Sequence, residues 1–95
     1  MYALAIDLAV HETEQYHPQG ITRAYADLDV TLETYGFKRI QSSLYVTQSE
    51  EMSNLFLAIQ KLREQDWFPK SVRDIRAFKI DQWSDFTSMV KKGSL

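Results

Sequence analysis

The sequence predicts an α+β fold in which a strand–helix–strand unit occurs twice. Three observations predict it: an apolar segment of strand character at the N-terminus, two segments whose apolar residues recur every three or four positions, and short β-rich segments after each helix. The chain of 95 residues is expected to form one domain, residues 1–95, with a single modest core.

Tyr2–Val10 is the first predicted strand, and it contains one carboxylate, Asp7. A strand this apolar is expected to be buried on both faces. A buried carboxylate without a partner costs several kcal/mol or becomes protonated, so stability alone favours an apolar residue at this position. Asp7 is therefore the first candidate functional residue.

The first helix is predicted after a loop over residues 11–20, which contains His17-Pro18-Gln19-Gly20. The helix has its apolar positions at Ile21, Ala24, Tyr25, Leu28, Leu32 and Tyr35. Gly36 follows them, where a left-handed C-terminal cap is expected.

A hairpin and a second helix come next. The strands Phe37–Ile40 and Leu44–Thr47 flank Gln41-Ser42-Ser43, which favours a turn. Ser49 is the expected N-cap of the helix. Its buried stripe is expected to consist of Met52, Leu55, Phe56, Ile59 and Leu62.

The last third of the chain is expected to contain a fourth strand, Ser71–Ile80, after Trp67-Phe68-Pro69 ends the helical region. Val72, Phe78 and Ile80 share one parity and Ile75 has the other, so a β-bulge is predicted. Asp81–Lys91 is predicted to be a third helix with Trp83, Phe86 and Val90 on one face, and residues 93–95 a frayed tail.

This order of elements is that of the ferredoxin-like βαββαβ fold, with an antiparallel sheet, helices on one face and an extra C-terminal helix. The opposite face of the sheet needs a cover. The partner in a homodimer, the last helix or a ligand would provide one.

Composition excludes several classes of protein. The absence of cysteine rules out disulfides, thiolate metal sites and cysteine nucleophiles, and two histidines disfavour a histidine-rich metal site. No apolar run is long enough to span a bilayer, and the N-terminal segment lacks the basic region of a signal peptide, so a cytoplasmic location is expected.

Charge is unevenly distributed along a chain whose net charge is −2. Residues 1–37 carry six acidic residues and one basic residue, whereas residues 67–80 carry four basic residues and one acidic residue. Such a field can steer an anionic ligand to one surface. The alternative is that the basic residues are ordinary solvated charges.

Five stretches of the sequence resemble the virulence-associated protein D (VapD) family. They are Met1–Asp7, Gln41–Tyr45, Trp67-Phe68, Ser71–Phe78 and Trp83–Thr87, and the most specific is S-V-R-D-I-R-A-F at Ser71–Phe78. The resemblance implies a ferredoxin-like homodimer with endoribonuclease activity, in some members the toxin of a toxin–antitoxin pair with a small protein antitoxin. It also implies a likeness to small CRISPR-associated nucleases, which carry an aspartate at the end of their first strand. One departure is Ser42, which stands where the family motif Q-G-S-x-Y has glycine.

The resemblance implies roles for particular residues in cleaving RNA. Asp7 and Ser43 would be catalytic, with Asp7 a general base or a ligand of Mg²⁺ or Mn²⁺, at or near the dimer interface. RNA would be bound by Ser42, Arg73, Arg76, Lys70 and Lys79. The alternatives are an Asp7 paired with Arg73 or Arg76, plain turn chemistry for the serines, an ion pair between Asp74 and an arginine, and lysines that are only surface charges.

His11 and His17 could each serve as a general acid, or be ordinary loop residues. Likewise, the aromatic residues Tyr2, Phe37, Tyr45 and Phe78 could stack unpaired bases or pack in a core. The sequence thus supports an endoribonuclease first. The alternative is a non-catalytic dimeric module that binds RNA or protein, which Ser42 and the acidic pI of about 5.6 favour, and a purely structural homodimer is the third reading.

Overall fold

The computed structural model describes residues 1–92, which form four strands and five helices. They are β1 (Tyr2–Leu8), α1 (Val10–Tyr16), α2 (Gly20–Glu33), β2 (Phe37–Gln41), β3 (Leu44–Thr47), α3 (Met52–Arg63), α4 (Phe68–Ser71), β4 (Val72–Lys79) and α5 (Thr87–Lys92). The strand order is β2-β3-β1-β4 and all neighbouring strands are antiparallel. This confirms the ferredoxin-like prediction.

The core lies between one face of the sheet and the helices α2 and α3. The side chains of β1 that enter it are Tyr2, Leu4, Ile6 and Leu8. They pack with Ala24, Leu28 and Leu32 of α2, with Leu55, Ala58 and Leu62 of α3, and with Trp67 and Phe68. Successive side chains of a strand point to opposite faces, so the remaining residues of β1 lie on the other face.

We call that other side of the sheet the open face. Residues directly opposite each other on neighbouring strands share a face, so the register assigns its members. They are Ala3, Ala5 and Asp7 of β1, Leu44 and Val46 of β3, and Asp74, Arg76 and Phe78 of β4. Within residues 1–92, the two long helices, α2 and α3, both pack on the opposite face.

The loop predicted over residues 11–20 is wrong in its first half, because α1 occupies Val10–Tyr16. This helix has a single buried residue, Thr13, so it has no apolar periodicity to detect. Its interactions are polar: the Thr13 hydroxyl donates to the Ala9 carbonyl at 2.6 Å, and Glu14 accepts the Ile21 N–H at 3.1 Å, at the start of α2.

The second main helix, α3, also differs from the prediction. Met52 and Phe56 are 50% and 65% exposed, so their assignment to the buried stripe is wrong. Ala58 lies in the buried stripe with Leu55 and Leu62 instead, so the face of α3 that meets the core excludes Met52 and Phe56. Ser49 is not the N-cap either: the N-cap is Glu51, whose N–H donates to the Ser49 hydroxyl at 3.1 Å.

The C-terminal segment, residues 81–92, which we call the arm, is helical only over α5. The predicted helix therefore begins six residues too early, and Trp83 and Phe86 precede it. The Asp85 carboxylate accepts the Thr87 N–H at 2.9 Å, and hydrogen bonding to Thr87 lowers the pKa of Asp85. The expected frayed tail, residues 93–95, lies outside the described residues.

The arm extends the molecule. It lines a groove with Ile40, Gln41 and Leu44, so it runs beside the β2 edge of the open face. All of its residues are exposed. The radius of gyration is 14.6 Å, compared with about 12 Å for a compact chain of this length. Among residues 1–92, no helix has the length and apolar character that crossing a membrane requires.

Candidate functional site

Asp7 lies near the C-terminal end of β1, on the open face. Its side chain is 54% exposed and its Oδ2 lies 3.6 Å from Nη1 of Arg73. The expectation of a strand buried on both faces is therefore wrong at this end, because the open face has no main helix over Asp7. The ion pair with Arg73 was one of the alternatives left open for this carboxylate, and it forms.

A β-bulge brings Arg73 to this position. In the register of β1 with β4, Asp7 is opposite Asp74 while Leu8 is opposite Val72, so Arg73 is the extra residue. The predicted bulge is confirmed. It allows Val72 and Ile75 to pack against the same core, whereas Phe78 is 49% exposed on the open face. The sequence placed Phe78 on the face of Val72, which is wrong.

The second arginine of the strand, Arg76, is held by Asp74. Its Nε donates to Oδ1 and Oδ2 of Asp74 at 3.2 and 3.0 Å. Arg76 is opposite Ala5, which makes it the diagonal cross-strand neighbour of Asp7. Such neighbours have their Cα atoms about 7–8 Å apart, within reach of a long side chain. The open face therefore holds two carboxylates and two arginines together.

The turn between β2 and β3 lies beside the same end of β1. The Ser43 carbonyl accepts the Ile6 N–H at 2.9 Å, so Ser43 is adjacent to the residue before Asp7. The Ser42 carbonyl accepts a long hydrogen bond from Arg39 at 3.5 Å. The structure thus brings the serine turn and Asp7 to one end of the sheet.

Arg39 is a residue near this site that the sequence did not indicate. Its guanidinium also lies 2.9 Å from Asp29 of α2, and Asp29 accepts the hydroxyl of Tyr45 at 3.1 Å. Tyr45 is fully buried, and burial, followed by the charge of Asp29, raises its pKa. This network joins α2, β2 and β3, and it reaches the serine turn through Arg39. No local motif marks it, because its members come together only when α2 packs on the sheet.

The two lysines predicted to bind RNA lie elsewhere. Lys79 is opposite Tyr2, and it lies five positions along the strand from Asp74, a distance of about 17 Å. Lys70 lies in α4 with Nζ 5.3 Å from the centre of the Tyr16 ring. Neither lysine contacts Asp7 or the two arginines beside it within residues 1–92.

The two histidines differ in environment. His11 is exposed on α1. His17 is buried, with Nε2 2.7 Å from Asp27 and Nδ1 accepting the Gln19 N–H at 3.0 Å, and its ring meets Trp67 edge-on at 4.8 Å. Both ring nitrogens of His17 are thus engaged, which assigns this residue to the packing between α1 and α2. Tyr2, Phe37 and Tyr45 are buried as well, so Phe78 alone of the four strand aromatics is accessible for stacking.

Few groups at the site could bind a metal ion. Residues 1–92 contain no cluster of three or more histidine, cysteine, aspartate or glutamate side chains with the geometry of a metal site. Asp7 and Asp74 are a pair of facing carboxylates, each with an arginine beside it. One carboxylate with several waters is enough for Mg²⁺, and both oxygens of Asp74 already accept from Arg76, so Asp7 is the residue of this pair that could hold a hydrated divalent cation.

The arrangement is a solvent-accessible carboxylate with two arginines and a serine turn, at one end of the central strand pair. No model of a protein family matches the chain. Individual relatives do. The chain is 62% identical to a protein of Neisseria gonorrhoeae named "Endoribonuclease VapD homolog", over 96% of this chain and 99% of the relative. The chain belongs to the VapD family.

Two further VapD relatives match over the same share of both chains. "Endoribonuclease VapD" of Haemophilus influenzae is 50% identical and "Endoribonuclease VapD" of Helicobacter pylori is 46% identical, each over 96% of this chain and 99% of the relative. The stretch Ser71–Phe78, the most specific part of the resemblance to VapD, supplies Arg73, Asp74 and Arg76. In this VapD chain its charges therefore meet Asp7 on the open face.

Proposed function

We propose that this protein is an endoribonuclease that cleaves RNA phosphodiester bonds, with Asp7 central to catalysis. One observation carries the proposal: in a chain 62% identical to a protein named an endoribonuclease, an accessible carboxylate has two arginines on its own face of the sheet. Fold alone would not support this, because ferredoxin-like domains have many functions.

Asp7 would act on the attacking oxygen. A carboxylate that is half exposed and in contact with one arginine can accept a proton from a substrate hydroxyl or a water molecule, or orient that group through a hydrogen bond. A fully buried carboxylate could not reach the substrate. Its exposed position on the open face thus supports a role in chemistry better than the buried position expected from the sequence.

Arg73 and Arg76 would stabilise the negative charge that develops on the phosphate. Guanidinium groups match phosphate oxygens in geometry and charge, and charge-assisted hydrogen bonds of this kind are stronger than neutral ones. The bulge supports this role, because strict alternation would have turned Arg73 away from Asp7. Lys70 and Lys79 would contribute attraction for RNA at longer range.

Ser43 would hold a phosphate oxygen through its hydroxyl, and Ser42 would contact the RNA beside it. The position of the turn supports this, since the Ser43 carbonyl is bonded to the residue that precedes Asp7. Arg39, bonded to the Ser42 carbonyl and to Asp29, would keep the turn in place.

A divalent cation, Mg²⁺ or Mn²⁺, would be held by Asp7, with water molecules completing its coordination. Such an ion supplies positive charge for the phosphate and lowers the pKa of a bound water. Arg73 already contributes positive charge beside this carboxylate, so we expect the affinity for the cation to be modest.

We further propose that the protein acts as a homodimer, as the toxin of a pair with a small protein antitoxin. The resemblance to the VapD family supports the toxin role. The arm supports the homodimer: Trp83, Phe86 and Val90 are 46%, 62% and 74% exposed in one short segment, and exposed apolar side chains grouped in this way are typical of interaction surfaces. The arm and the part of the open face beside it would form the interface, with Asp7 near its edge, where RNA can still reach the carboxylate.

The test is cleavage of a labelled RNA by the wild-type protein and by Asp7→Asn, with Mg²⁺, Mn²⁺ or EDTA. Asp66→Asn, the same substitution at an exposed position in the turn before α4, is the matched control. We expect cleavage by wild type and control and a loss of at least about 100-fold in Asp7→Asn.

Equal cleavage by all three proteins would assign the activity to another site or to a contaminant. No cleavage of single-stranded or structured RNA by a folded wild-type protein would overturn the proposal. It would favour a non-catalytic module that binds RNA or protein.

A further inference from the structure

Asp74 occupies a position that stability does not explain. It lies directly opposite Asp7, and like charges in facing positions of a strand pair are destabilising. Its ion pair with Arg76 joins side chains that are 46% and 70% exposed, and ion pairs this exposed add little to stability. A neutral residue would therefore serve the fold at least as well.

The geometry of the pair indicates what Asp74 does instead. Both of its oxygens accept from the same atom, Nε of Arg76. Within residues 1–92, Nη1 and Nη2 of Arg76 make no hydrogen bond. Those two groups form the end of the guanidinium fork, which binds two oxygens of a phosphate side by side.

We propose that Asp74 is a positioning residue, which holds Arg76 by Nε so that Nη1 and Nη2 bind a phosphate of the RNA beside Asp7. The inference rests on the proposed nuclease function and deepens it. Arg76 starts from a strand position diagonal to Asp7, and a free arginine side chain there would sample many rotamers. Fixing it in advance lowers the entropy lost when the phosphate binds.

The two arginines then have different roles. Arg73 contacts the carboxylate of Asp7 itself, at 3.6 Å, and would approach the phosphate from beside the reacting group. Arg76 contacts a carboxylate that need not react. Of the four charged side chains, Asp7 and Arg73 would thus lie at the reacting group, and Arg76, positioned by Asp74, would bind the phosphate.

The sign of the effect of Asp74→Ala separates positioning from simple electrostatics. Removing a negative charge near the path of RNA should by itself tighten binding and speed cleavage. Positioning predicts the reverse, a loss of roughly 10- to 100-fold in kcat/KM, comparable with the effect of losing a residue that orients a metal ligand. Asp74→Asn retains one acceptor oxygen for Nε and should lie between wild type and Asp74→Ala.

The experiment is a double-mutant cycle of Asp74→Ala and Arg76→Ala, with Asp66→Ala as the control for the change in net charge. We expect the double variant to cleave no more slowly than Arg76→Ala alone, since Asp74 acts only through Arg76. We also expect each single variant to reduce the slope of log Kd for single-stranded RNA against log salt by about 0.7, the loss of one phosphate contact. Faster cleavage by Asp74→Ala, or losses that multiply in the double variant, would overturn the inference.

A second measurement does not depend on activity. The heteronuclear NOE of the Arg76 Nε–H reports whether the guanidinium is held, and it should fall to the value of an exposed arginine in Asp74→Ala. An unchanged NOE would refute the positioning role even if cleavage were lost. If the wild-type protein proved inactive while the NOE behaved as expected, the proposed nuclease function would fail and the orientation of Arg76 would stand.

Discussion

Asp7 of β1 and Asp74 of β4 lie directly opposite each other, and each carboxylate contacts an arginine of β4. Asp7 contacts Arg73, and Asp74 contacts Arg76. Two facing carboxylates would repel each other on a bare sheet. Here the bulge and the spacing of the arginines surround them with an equal number of positive charges. The four side chains are therefore a locally neutral cluster on an exposed surface, a surface that can admit an anion.

The exposure of this cluster leads to the first prediction, that Asp7→Asn leaves the fold intact. The ion pair with Arg73 is weak because both side chains are more than half exposed, and the substitution also relieves the repulsion from Asp74. We expect the free energy of unfolding to change by less than about 0.5 kcal/mol. Urea denaturation of both proteins measures it. A loss above about 2 kcal/mol would indicate a structural role for Asp7.

Unlike Asp7→Asn, the substitution Tyr45→Phe should clearly lower the free energy of unfolding. The Tyr45 hydroxyl is buried and donates to the Asp29 carboxylate at 3.1 Å, and a bond of this kind contributes about 1–2 kcal/mol. Asp29 keeps its contact with Arg39 in the variant, so no buried charge is left alone. Thermal or urea unfolding at neutral pH provides the number, and an unchanged midpoint would contradict it.

The same tyrosine should give the protein a distinct alkaline dependence. Burial raises the pKa of Tyr45 above its ordinary value of 10.0 in the folded state. Above pH 10 the unfolded chain releases the hydroxyl proton of Tyr45, whereas the folded chain keeps it. The contribution of Tyr45 to the free energy of unfolding is therefore complete below pH 10 and falls as the pH rises. The difference in free energy of unfolding between wild type and Tyr45→Phe should therefore become smaller above pH 10. Urea unfolding of both proteins at pH 8 to 11 measures it. A gap that stays constant would mean that Tyr45 ionises freely when folded.

The sequence predicted the sheet and both main helices because each has a strong local signal. Tyr2–Leu8 is apolar, and Leu28 and Leu32 repeat with a helical period. It missed α1, where burial rests on Thr13 alone, and misplaced Phe56, because packing selected Ala58 for the sheet side of α3. Which residues of a helix become buried depends on the surface against which the helix packs, and the sequence of the helix alone does not determine that surface.

The candidate site was foreseen in its residues but not in their arrangement. Asp7, Arg73 and Arg76 were singled out from sequence, and a bulge was expected from the parity of Ile75. The burial of Asp7 was predicted wrongly, since alternation along β1 is hidden when small alanines occupy the outer positions. The network of Arg39, Asp29 and Tyr45 could not be foreseen, as it forms only when the helix that carries Asp29 packs against the two strands that carry Arg39 and Tyr45.

The exposed arm predicts how the protein associates. Phe86→Asp places a charge on a side chain that is 62% exposed in the single chain, so the fold should tolerate it, whereas a dimer interface would not. Phe56→Asp makes the same change at a position of α3 that is 65% exposed on the opposite side of the sheet, and it is the matched control. Analytical ultracentrifugation should find a dimer for wild type and Phe56→Asp and a monomer for Phe86→Asp. Monomeric wild-type protein, or dissociation by Phe56→Asp alone, would show that the arm is not the interface.

Ser42→Gly restores the residue of the family motif and tests whether the turn needs it. The residues with positive φ in the described part of the chain are Gly20 and Gly36, so the turn accommodates Ser42 with an ordinary negative φ. Glycine would add freedom to the unfolded chain without relieving strain, and it should lower the free energy of unfolding by about 0.5–1 kcal/mol. We expect no gain in the rate of RNA cleavage, measured beside the wild type under the same conditions. A rate that rises several-fold in Ser42→Gly would mean that the serine side chain obstructs the approach of the phosphate to this turn.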